Sequence, residues 1–111
     1  DPRYMPPEQA VLGAALDERA DLYAAGMSLY EIVTGVHPYE DVLSGSRSEL
    51  LAAHRERTPL PLSHHLPNET PVTVACGLDV VFEKASAKDP NDRFDSAADM
   101  AAALGEVFAG I

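Results

Sequence analysis

The sequence predicts an all-α fold, with about five helices around one buried central helix at residues 19–34. Three observations carry that prediction. Residues 20–34 are apolar around almost the whole helical circumference, with Asp21 and Glu31 as the only charges. Elsewhere apolar residues recur at three- and four-residue spacing, and the β-branched residues fall inside those periods rather than alternating as strands do. Cap and stop residues, Asp17 and Gly35 first among them, punctuate the segments.

A helix that is apolar nearly all round is expected to be buried rather than to lie on a surface. At 15 residues it would span roughly 22 Å, most of a small domain's diameter. The 111 residues make one domain at most, and a hydrophobic share of 46% is that of a folded globular chain. A net charge of −10 argues against nucleic-acid binding, which needs clustered Lys and Arg, and against docking on anionic membranes. No run approaches the ~18 apolar residues of a membrane span. Cys76 is the single cysteine, so no intrachain disulfide forms, and a reducing, cytoplasmic setting is expected. The opening Asp1-Pro2-Arg3-Tyr4 lacks the apolar core of a signal peptide.

Taken in order, Pro7 is suited to start a short helix that Gly13 ends. A connection carrying Asp17 as N-cap leads into the central helix, and Gly35-Val36-His37-Pro38 breaks the chain after it. Residues 39–48 read as a surface loop. Residues 49–55 form a short amphipathic helix capped by Ser46 or Ser48. Residues 56–70 carry three prolines and read as a connection draped over the core, extended at 58–62 and 66–67. Pro71 is placed as the first residue of a third helix, with Thr70 as its cap and Val74, Leu78, Val81, Phe82 and Ala85 on the inner face. A turn at residues 88–93 follows. Ser96 and Asp99 have the form of a capping box. Ala97, Met100, Ala101, Leu104 and Phe108 make the last inner face, which Gly110 ends.

Isolated chemistry is weak. His37, His54, His64 and His65 match no metal-ligand spacing, and the pair at 64–65 sits in a Pro-rich stretch expected to face solvent. Cys76 has no base near it in sequence and is expected to be a buried, inert thiol. Asp89, Asp92 and Asp95 lack the Gly and terminal Glu of a calcium loop and read as a solvated turn.

The stronger signal is long-range. Y-M-P-P-E-Q at residues 4–9, D-x-R-x-D-L-Y-A-x-G at 17–26, T-G-x-x-P-Y at 34–39 and K-D-P-x-x-R-F-x-S-A at 88–97 occur in that order. Over essentially all 111 residues this resembles the C-terminal lobe of eukaryotic-type Ser/Thr protein kinases, bacterial members above all. The resemblance implies a partial kinase domain across residues 1–111, from the substrate-positioning loop to the last helix, with the small lobe and catalytic loop absent. The helices would be the short one after the Pro-Glu motif and then the F, G, H and I helices, the central rod being F.

The same resemblance implies roles residue by residue. Glu8, the acid of the Ala-Pro-Glu motif, would pair with Arg93. Asp21 would face the catalytic-loop backbone, and Gly26 would permit close packing against that loop. Asp1, Pro2, Arg3 and Tyr4 would belong to the substrate-positioning loop. Asp1 stands where the family usually has threonine, and Pro6 replaces the alanine of the Ala-Pro-Glu motif; both count against phosphotransfer.

None of the phosphate-handling motifs is present: no Gly-rich loop, no strand lysine, no His-Arg-Asp loop and no Asp-Phe-Gly. His54-Arg55-Glu56 lies after the Pro-Glu motif and is a decoy. The chain itself therefore holds no catalytic residue, no cofactor and no metal, whereas a complete parent would use ATP and magnesium. The expectation is a non-catalytic fragment of a Ser/Thr kinase. One alternative is a pseudokinase or truncated kinase-like domain that binds proteins; another is an unrelated helical interaction domain. Protein partners are expected, together with self-association through an exposed face of the central helix.

Overall fold

The computed structural model describes residues 1–10 and 17–109. Four α-helices carry the described residues: α1 (Glu18–Thr34), α2 (Arg47–Glu56), α3 (Val72–Ala85) and α4 (Ala97–Ala109), with short 3₁₀ turns between them and no strand. Asp17 caps α1 by accepting from the Arg19 amide, and Gly35 ends it in the left-handed region at φ 80° with its N–H on the Glu31 carbonyl. That backbone conformation is strained for any residue with a Cβ, which is why glycine stops the helix here.

α3 packs against both α1 and α4, so two apolar clusters form along it. Tyr23, Met27 and Tyr30 of α1 meet Leu78 and Phe82 of α3 and Leu50 and Ala53 of α2 in the first. Leu22, Val81, Ala85, Phe94 and Met100 make the second. The face Val74, Leu78, Val81, Phe82 and Ala85 of α3 is buried as its spacing predicts. Gly26 sits where the two helices come closest: a Cβ there would lie 2.8 Å from the Ala85 Cβ.

Several expectations need correction. The central helix is not buried all round, and it shows the exposed face expected of it. Asp21, Ala25, Ile32 and Val33 face outward, with Ile32 81% exposed. The extended stretch expected at 58–62 stops short of Leu62, which opens a 3₁₀ turn, Leu62–His65, and is driven fully into the core. Pro61 fixes the φ at its start, so proline here launches a turn rather than barring one. Thr70 is not the cap of α3, because Pro71 occupies the cap position and no side chain caps the helix. Cys76 is exposed rather than buried.

The last inner face is also rotated. Met100, Ala103, Leu104 and Val107 face the core, while Ala97, Ala101 and Phe108 are exposed. The cause lies on α3, where Gly77 leaves room for Val107; a Cβ at Gly77 would meet the Val107 methyl at 2.9 Å. The capping box at Ser96 is half formed, with the Asp99 amide donating to Ser96 Oγ at 3.1 Å. The short helix expected from Pro7 begins as a 3₁₀ turn, Pro7–Ala10, and its stop at Gly13 lies outside the described residues, as does the stop at Gly110.

Of the two candidate caps for α2, Ser46 is the one used: its Oγ accepts from the Glu49 amide at 3.1 Å. Ser46→Ala should cost about 1 kcal/mol, read as a lowered urea midpoint with an unchanged slope. Ser48→Ala serves as the silent control.

Candidate functional site

The segment 1–10 is held against the body of the fold by side chains from three elements. Pro2 and Pro7 each open a 3₁₀ turn, which aims Tyr4 and Glu8 inward. The Tyr4 hydroxyl donates to Glu31 on α1 at 2.6 Å, and this neighbouring carboxylate raises the phenol's pKa. The His37 ring donates from Nε2 to the Arg3 carbonyl at 2.7 Å, since its Nδ1 is occupied as acceptor by the Tyr39 amide at 3.0 Å.

Glu8 and Arg93, 85 positions apart, meet as a bidentate pair, with NH1 to Oε2 at 2.6 Å and NH2 to Oε1 at 2.8 Å. Arg93 is fully buried as a side chain and Glu8 is 18% exposed. The remaining guanidinium N–H groups donate to the carbonyls of Ala87, Arg19 and Lys88, and its plane lies 5.0 Å from the Tyr23 ring centre. Every donor of the fork is thus used, which is the condition for burying a charge.

Beside this clamp lies a second polar cluster that the sequence did not reveal. His54, on the inner face of α2, places Nδ1 2.6 Å from the Tyr23 hydroxyl. Lys88 donates to the His54 carbonyl at 2.7 Å and to the Tyr39 hydroxyl at 3.0 Å, and Tyr39 in turn donates to the Arg57 carbonyl at 2.8 Å. Burial sets the ionisation throughout. It raises the Tyr23 phenol, pushes Tyr39 up to about 12, and lowers His54 to about 4 and Lys88 to about 8. The only sequence signal was positional: His54 follows Leu50 by four residues on an amphipathic helix, so it shares the buried stripe.

Asp21 occupies a different place. It lies on the open side of α1, in a groove of about 450 Å³ shared with Asp1, Tyr4, Pro6 and Asp17. No described residue hydrogen-bonds its carboxylate. Asp1 in the same groove is neutralised by Arg3, whose Nε and NH2 reach its carboxylate at 3.1 and 2.6 Å. Gly26, five residues further along α1, packs on Ala85 of α3. The arrangement contains a structural clamp and an open acidic groove. Among the described residues no three His, Cys, Asp or Glu side chains converge as metal ligands would. No helix among them is long and apolar enough to cross a membrane.

No protein-family model matches the chain. Individual relatives do. A probable serine/threonine-protein kinase of Corynebacterium efficiens is 42% identical over 102 residues, 92% of this chain and 15% of the relative. The probable kinase PknB of Corynebacterium glutamicum is 40% identical over 105 residues, 95% of this chain and 16% of the relative. The serine/threonine-protein kinase Pkn1 of Myxococcus xanthus is 42% identical over 97 residues, 87% of this chain. The chain spans 13–16% of the length of these three curated relatives.

Proposed function

We propose that this chain, which aligns over 87–97% of its length with bacterial serine/threonine-protein kinases, is the non-catalytic large-lobe scaffold of such a kinase. The observation that carries the proposal is the buried Glu8–Arg93 clamp. It anchors residues 1–10 beside Asp21, the position expected to receive a catalytic loop. On this reading Asp1, Pro2, Arg3 and Tyr4 belong to the substrate-positioning loop, and residues 1–111 carry large-lobe motifs. Glu8, Arg93 and Gly26 hold the scaffold together, and Asp21 positions what docks on it.

The complete protein would transfer the γ-phosphate of ATP to Ser or Thr of protein substrates, with magnesium, in the cytoplasm. On this reading both cofactors are held by other parts of the complete protein. The outward face of α1, with Ile32 81% exposed, fits contact with another segment or with a second copy.

The experiment is ATP-dependent phosphorylation of casein by the complete gene product and by the 111-residue chain. The complete product should transfer phosphate and the short chain should not. Asp21→Asn in the complete product should lower kcat about 10²-fold by misplacing the docked loop. A complete product that binds protein partners but transfers nothing would replace this proposal with the pseudokinase alternative, which the Asp1 and Pro6 substitutions favour.

A further inference from the structure

The geometry points to His54 as an acid-operated latch: a proton taken up by its ring ejects the turn Pro2–Tyr4 from the face of α2. This inference is independent of the kinase assignment. His54 is 1% exposed, and its Nε2 has no hydrogen-bond partner among the described residues. The Tyr23 hydroxyl has no described acceptor other than His54 Nδ1, so the phenol donates there and the ring's own proton sits on Nε2. A second proton must therefore go to Nδ1, the nitrogen that Tyr23 already fills. The phenol would have to turn away, with no described acceptor to turn to.

On balance the surroundings oppose a charge on the ring. From α1 comes Tyr23, with the Arg93 guanidinium against its ring. The loop after α1 contributes His37 and Tyr39, at ring-centre separations of 6.2 and 5.2 Å. The turn after α3 contributes Lys88, bonded to the carbonyl of His54 itself. On α2 the neighbouring Arg55 and Glu56 are exposed. In the N-terminal segment, the Glu8 carboxylate is bound by Arg93 and that of Asp1 by Arg3. The turn Pro2–Tyr4 offers only the Pro2 and Arg3 carbonyls, which favour the charged ring slightly but fall short of hydrogen-bond geometry with Nε2.

Burial and the nearby His37 outweigh those carbonyls and hold the ring down at about 4 from an ordinary 6.5. A group lowered in this way leaves the closed form fully favoured above pH 6.5. That preference is lost as pH falls from 6.5 towards 4, because the opened or unfolded chain binds the proton more readily. The element that yields is the least anchored one. α1, α2 and the turn after α3 are fixed by core side chains, whereas Pro2–Tyr4 buries none of its residues and is held by two side-chain hydrogen bonds, His37 to Arg3 and Tyr4 to Glu31. The Glu8–Arg93 clamp survives and confines the opening to the residues before it.

The test is ¹⁵N relaxation on the 111-residue chain at about pH 7.5 and about pH 4, with the His54 ring titrated by NMR in the same samples. Order parameters at Arg3 and Tyr4 should fall from about 0.85 to below about 0.6 at the acid end, while α1 and α3 keep rigid values. The loosening midpoint should coincide with that of the His54 ring, and His54→Gln should hold the same order parameters at both pH values. Rigid Arg3 and Tyr4 in acid would overturn the latch, as would equal loosening in His54→Gln or a midpoint away from that of the ring. Glu31→Gln separates the competing cause: if loss of the Tyr4–Glu31 bond drove opening, this variant would already be loose at neutral pH, and the latch would be rejected. Should His54→Gln fail to fold, the coincidence of the two midpoints in the unmodified chain decides alone.

Discussion

Glu8→Ala should destabilise the chain by about 3–5 kcal/mol, the cost of leaving one buried charge without its partner. Arg93 has no route to water, since its side chain is fully buried and its remaining N–H groups are fixed on the carbonyls of Ala87, Arg19 and Lys88. A domain of this size holds about 5–15 kcal/mol in total, so the loss takes a large share and lowers the urea midpoint accordingly. The double variant Glu8→Ala/Arg93→Met should recover part of that loss, because the stranded charge is gone. It should stop short of the unmodified chain, because the Arg19 and Ala87 carbonyls then lose their donor. A Glu8→Ala effect under about 1 kcal/mol would mean that water reaches the guanidinium after all.

Gly26→Ala should be the next most damaging change, at about 2 kcal/mol. Two effects oppose each other. Alanine in place of glycine inside a helix ordinarily gains up to about 1 kcal/mol. Here the new methyl would sit 2.8 Å from the Ala85 Cβ, on the seam where α1 and α3 meet along two core clusters. Neither helix can shift without disturbing Tyr23, Phe82 and their neighbours, so overpacking at about 1–3 kcal/mol or more wins. Ala85→Gly supplies the check. Alone it should cost about 1 kcal/mol in helix propensity, and combined with Gly26→Ala it should restore most of the loss by moving the methyl to the other helix. Equal stability of Gly26→Ala and the unmodified chain would show the seam to be wider than drawn.

The parts legible in the sequence are those fixed by local rules. Asp17 and Gly35 mark the ends of α1 because a cap and a left-handed stop act within one turn. The inner face of α3 follows from its own periodicity. The Glu8–Arg93 pair was visible only as a resemblance, since no local property links residues 85 apart. What escaped depends on contacts between elements. The face of α4 turns on Gly77 of α3 admitting Val107, which spacing within α4 does not contain. Cys76 lies on the same helix as a strong apolar stripe yet points away from it. The burial of His37 and His54 arises because four separate segments close over them, so histidines that look solvent-facing by type are among the least exposed residues.

The clamp also sets when things happen. Glu8 and Arg93 close a loop of 85 positions, one of the widest separations in the chain, and long loops are closed only after local structure has formed. The contact is therefore expected to join on the downhill side of the folding barrier, after α1 and α3 have docked. Weakening it leaves the refolding limb of a chevron nearly flat in response and loads the whole effect on the unfolding limb. On those terms Glu8→Ala chains should unfold about 150- to 5,000-fold faster while refolding at the parental rate. Arg93 and Glu8 thus act as the timer on how long the assembled scaffold lasts.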